Sequence, residues 1–214
     1  MAAVGLLFVG AVLFVNALLL LGKVDGKSAA PFNLFVGGLQ TVVPFYLIAT
    51  ADTEDEILLA SGIFLFGFTY LYVGITNAAD LSTLGLGWYC LWVVILAVAF
   101  SLVNFIRFDD TKFGFIWLNW AVLWGLFWLV LGLGRARLTA FTGWTTLILS
   151  FTTCTAPAFL ILLGEWASVP GWVAIVVTAA TVAVLAAIWG RTTTPAPGGA
   201  GPDTTRGATA SPAT

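Results

Sequence analysis

Seven stretches of roughly twenty residues pass without one Asp, Glu, Lys, Arg or His: 4–22, 32–51, 57–76, 85–106, 113–134, 142–163 and 172–189. A hydrocarbon core about 30 Å thick needs about twenty helical residues at 1.5 Å rise, so each stretch matches one crossing. Strands with open edges would leave backbone groups unpaired in lipid, and the ten-residue alternation of a β-barrel is absent, so the crossings are expected to be helices. The predicted fold is therefore an all-α, polytopic membrane bundle of seven transmembrane helices. Residues 1–190 form the membrane domain. Residues 191–214, rich in Thr, Pro, Gly and Ala, cannot bury enough apolar surface to order themselves and are read as a disordered tail.

The charges sit between these stretches. If the N-terminus is outside, the first, third and fifth connections are cytoplasmic and hold Lys23, Lys27, Arg135 and Arg137. The outer connections then hold Arg107 and Lys112, while Arg191 and Arg206 lie inside with the tail. Met1-Ala2-Ala3-Val4 supplies no basic residue of the kind that starts a signal peptide or holds an N-terminus in the cytoplasm. The expected topology is N-terminus outside and C-terminus cytoplasmic.

A net charge of −2 without a basic stripe excludes nucleic acid as a partner. There is no His, and the two Cys, Cys90 and Cys154, lie inside apolar stretches, which argues against a disulfide scaffold, a zinc site or His-dependent catalysis. An enzyme within the membrane would need a nucleophile with its base, and the spans offer no such pair. Pumps and ion-coupled carriers place ionisable groups at the midplane, and these spans contain none. What remains is aromatic rings with scattered amides and hydroxyls, which suit a small, neutral, flat solute moving passively and call for no cofactor. An ion-coupled small-amide transporter and a non-transporting membrane scaffold are the alternatives.

The sharpest local pattern is Trp117, Trp120, Trp124 and Trp128, spaced 3, 4 and 4. At 100° per residue they fall within an arc of about 80°, one stripe running through the middle of a span. The stripe is either a seam between packed helices or the wall of a pore. A second cluster, Phe64, Phe66, Phe68, Tyr70 and Tyr72, marks the third span, with Phe66 and Tyr70 sharing a face near Gly62 and Gly67.

Longer motifs surround these aromatics: Val9-Gly10 and Asn16, Lys23-Val24-Asp25 with Lys27-Ser28, and Asn33-Leu34-Phe35-Val36-Gly37-Gly38-Leu39. Leu65-Phe66-Gly67-Phe68-Thr69-Tyr70-Leu71-Tyr72, Trp117-Leu118 with Trp120, Val122-Leu123-Trp124, and Pro157-Ala158 follow. With these motifs, residues 1 to about 168 resemble the AmiS/UreI family of bacterial amide and urea channels. The resemblance implies a multi-pass protein of the bacterial inner membrane and facilitated diffusion of urea or short aliphatic amides such as acetamide. It also implies one pore per protomer and a homo-oligomeric ring in the lipid bilayer, a hexamer in the urea-channel branch. The family's pore positions carry over to Leu6, Val9, Leu13, Phe66, Tyr70, Phe113, Trp117, Trp120, Leu123 and Trp124, with Tyr70, Trp120 and Trp124 at a cytoplasm-side constriction. Asn16 and Thr69 add groups able to hydrogen-bond a passing amide.

Three departures separate this chain from the acid-gated urea channels. Those channels have long outer loops bearing His and a glutamate on the sixth span, where this chain has no His, short loops and Leu149. They also end before a seventh apolar run. The first two differences place the chain in the amide branch and imply a channel that acid does not gate.

Overall fold

The structure is a computed structural model and describes residues 2–193; among them there is no strand. Among the described residues seven helices are long and apolar enough to cross a membrane: α1 Ala2–Leu20, α2 Gly26–Ala49, α3 Glu54–Ala78, α4 Leu84–Ile106, α5 Thr111–Gly132, α6 Ala136–Leu162 and α7 Trp172–Thr193. The expected tail lies outside the described residues from 194 onward, and 191–193 continue α7. Charged connections stop the helices and their side chains cap them. Asp25 accepts from the Ser28 N–H at 2.9 Å, so α2 begins six residues before the uncharged stretch. Thr53 and Glu56 form a capping box at the start of α3, with acidic residues where the helix dipole favours them. Asp110 accepts from the Phe113 N–H and starts α5.

Helices α1 to α6 pack in chain order and close into a ring, α6 returning against α1. The N-terminal face carries the connections at 50–53, 107–110 and 163–171; the opposite face carries those at 21–25, 79–83 and 133–135. Ion pairs staple each face from outside: Arg107 to Asp55 at 2.6 Å on the first, Lys27 to Asp80 at 2.7 Å on the second. Small residues set how closely the helices approach. A Cβ on Gly67 would come within 2.9 Å of the Gln40 backbone, so α2 and α3 touch main chain to main chain there.

On α6, the hydroxyls of Thr142, Thr145, Thr146 and Thr153 each donate to the carbonyl four residues back. This polar stripe is buried without leaving a donor open, and α1 packs close to it at Gly10. Pro157 cannot donate, and just before it the helix widens into a π turn over Ser150–Thr155. A second π turn, Trp128–Gly132, ends α5, where Gly132 meets Gly87 of α4.

α7 stands outside the ring against α5 and α6. Its 22 residues reach about 33 Å, long enough for a full crossing. Asn119 donates to Thr178 Oγ1 at 2.8 Å near its middle, and Phe141 meets Trp189 edge to face near its end. Only Thr181 of α7 is buried. Large apolar side chains such as Phe35, Ile106 and Leu163 cover the outside of the molecule at 70–80% exposure, as a bilayer solvent allows.

Candidate functional site: an axial pair of cavities

The closed ring leaves space along its axis, in two cavities. The one toward the N-terminal face holds about 480 Å³ and is bordered by Leu6, Val9, Gln40, Asn104, Phe113, Trp117 and others. The second, about 100 Å³, opens toward the opposite face between Leu13, Asn16, Thr69, Tyr70, Leu123 and Trp124. Phe66 and Trp120 border both. Their rings meet edge to face with centroids 4.7 Å apart, and Trp124 lies 4.8 Å from the same Phe66 ring. Tyr70 stands 6.4 Å from the same Phe66 ring and borders the smaller cavity together with Trp120 and Trp124.

All twelve residues singled out from the sequence border one cavity or the other. The Trp stripe divides. Trp117, Trp120 and Trp124 are buried against the axis, and Trp117 also stacks on Phe100 at 4.7 Å. Trp128 does not border either cavity: α4 and α5 converge at Gly87 and Gly132, and Trp128 meets Trp88 of α4 instead. In the third span Phe66 and Tyr70 face inward while Phe68 and Tyr72 are exposed.

Several polar groups expected to serve a solute are already engaged. Trp120 donates its indole N–H to Thr153 at 2.9 Å, and Thr69 donates its hydroxyl to the Leu65 carbonyl at 2.6 Å. Asn16 exchanges two hydrogen bonds with Asn33 of α2, at 2.9 and 2.8 Å, while still bordering the smaller cavity. It thus holds two helices together with one of its N–H groups and leaves the other uncommitted. The Tyr70 hydroxyl has no hydrogen bond to the described residues and borders the same cavity.

The cavity walls carry one charged side chain, Asp110 at the mouth on the N-terminal face, where it caps α5. Among the described residues no cluster of three or more His, Cys, Asp or Glu can hold a metal ion. Gln40, Asn77, Cys90 and Asn104 also border the cavities and were missed from the sequence. Gln40, Cys90 and Asn104 sit singly in apolar stretches and Asn77 just past the end of one, and only the closure of the ring shows which way such residues face.

Comparison with known proteins gives concordant matches. The pattern described as AmiS/UreI family transporter matches residues 1–165. A relative in Rhodococcus erythropolis named as the transporter AmiS2 is 54% identical over 177 residues, 80% of this chain and 86% of the relative. The acid-activated urea channel of Helicobacter pylori strain J99 is 34% identical over 75% of this chain and 97% of its own length. The closed-state structure of the H. pylori urea channel superposes with a TM-score of 0.70 at 33% identity, covering 78% of this chain and all of that one.

Proposed function

The chain belongs to the AmiS/UreI family, a multi-pass membrane family of amide and urea transporters and channels, and on that premise we propose that it is a passive channel for urea and short aliphatic amides. The observation that carries this reading is the pair of cavities in one protomer's ring, meeting at Phe66 and Trp120 with no charge along the walls beyond the mouth. An apolar wall alone would cost an unpaired amide about 4–8 kcal/mol on the cyclohexane scale. Stacking on indole and phenol faces, with hydrogen bonds to Asn16 and Tyr70, lowers that barrier for a flat neutral solute. A hydrated ion meets no compensating charge there.

Each protomer carries its own path, and protomers assemble as a ring, a hexamer by analogy with the urea-channel branch. The protein sits in the bacterial inner membrane with its N-terminus outside, acts without catalysis or cofactor, and is not gated by acid. Purified protein in liposomes is expected to raise urea and acetamide permeability with no ion gradient. Uptake that strictly requires a proton or sodium gradient would replace this reading with a coupled transporter, and vesicles no more permeable than protein-free ones would leave a scaffold.

A further inference from the structure

Gln40 of α2 borders the larger cavity at 3% exposure, and its Oε1 is buried with no hydrogen-bond partner. Its Nε2 makes no hydrogen bond to the described residues either. Leaving a whole carboxamide unpaired inside an apolar wall is costly, and native structures rarely tolerate it without a purpose. The fold also builds a seat for this side chain. A Cβ on Gly5 of α1 would come within 2.5 Å of Oε1, so glycine there makes room for the carboxamide. Asn104 of α4 borders the same cavity with its Nδ2 committed to the Phe100 carbonyl at 2.8 Å, which leaves its carbonyl oxygen as an acceptor.

We propose that the Gln40 carboxamide is the docking group of the larger cavity, hydrogen-bonding the planar amide of the permeating solute before it reaches Phe66 and Trp120. The Oε1 end of the carboxamide is buried against Gly5, which leaves Nε2 to the cavity: it donates to the solute carbonyl, while the Asn104 carbonyl oxygen accepts from a solute N–H. A diol offers the Nε2 N–H only a hydroxyl oxygen, a weaker acceptor than an amide carbonyl. Gln40 therefore sets the preference for amides over other small neutral solutes. This inference deepens the channel reading and rests on it.

The test is the ratio of acetamide to ethylene glycol permeability in liposomes, for wild type, Gln40→Met and Gly5→Ala. Gln40→Met keeps the length and removes the hydrogen bonds; Gly5→Ala displaces the carboxamide without removing it. Both are expected to lower the ratio severalfold, chiefly through acetamide. If Gln40→Met unfolds, Gly5→Ala decides alone. A folded variant with an unchanged ratio, or with both solutes altered equally, overturns the proposal and leaves Gln40 as packing. Wild-type vesicles no more permeable than protein-free ones would instead overturn the channel reading itself, and this proposal with it.

Discussion

Trp120 donates its indole N–H to the Thr153 hydroxyl at 2.9 Å, and Thr153 donates in turn to the Leu149 carbonyl at 2.6 Å, so the ring at the narrowing is tied to the π turn of α6. Pro157 leaves α6 unable to continue its regular ladder, and the widened turn holds the residue that orients Trp120. Thr153→Val keeps the shape and leaves a buried N–H unpartnered, a cost of about 1–3 kcal/mol. Its melting temperature in detergent is expected to fall and its solute selectivity to change. An unchanged selectivity would show that Phe66 and Trp117 hold Trp120 without the bond.

The division of the Trp stripe predicts two classes of variant. Trp124→Ala removes a ring from the narrowing and is expected to admit larger amides such as butyramide. Trp128→Ala, which removes packing against Trp88, is expected to cost about 3–5 kcal/mol or less of stability and to leave selectivity alone. Permeability across a series of amides of rising length, measured on both variants, separates the two roles.

The Asn16–Asn33 exchange is a coupled pair, with Asn33 fully buried. Asn16→Leu alone leaves the Asn33 carboxamide with only its bond to the Ala29 carbonyl. Membrane hydrogen bonds of this kind average about 0.6 kcal/mol in double-mutant cycles. A cycle of Asn16→Leu, Asn33→Leu and the double variant is expected to give coupling of that order, read from unfolding in mixed micelles. Coupling near zero would mean the two side chains act independently.

Conduction is expected to be the same at pH 5 and pH 7.5. Histidine, whose unperturbed charge changes in that window, is absent. On the N-terminal face Asp55 is paired with Arg107 and Glu56 caps α3, so these carboxylates already have structural partners. On the opposite face, the Ser28 hydroxyl and N–H hold the Asp25 carboxyl below the usual carboxylate range. A lowered pKa contributes stability above the unfolded value near pH 4 and loses it only as pH falls through the folded value, below the tested window. A severalfold rise in urea flux at pH 5 would reveal an acid gate.

The N-terminus and the end of α7 lie on opposite faces, because Trp189 packs against Phe141 near the start of α6. With the N-terminus outside, a cysteine introduced by Gly199→Cys is expected to escape an impermeant thiol reagent in intact cells. Cys90 and Cys154 are buried and give little background. Labelling of the introduced thiol would invert the assigned topology.

The sequence by itself determined the seven uncharged stretches, their helical nature and, within a few residues, the places where they stop. Those properties are local: each uncharged stretch must satisfy its own backbone in lipid, and each charged connection must return to water. The Trp and Phe/Tyr patterns also marked the helix faces now found against the axis, since periodicity is a property of one helix. Left open was whether the stripe made a seam or a wall, and only the closing of α6 onto α1 gave it an axial space to border. Tertiary contact alone decided that Trp128 leaves the stripe at the Gly87–Gly132 approach, that Thr153 claims the Trp120 N–H, and that Gln40 remains unpaired beside Gly5. Each depends on residues far apart in the chain, where spacing along one helix carries no information about what the neighbouring helix presents.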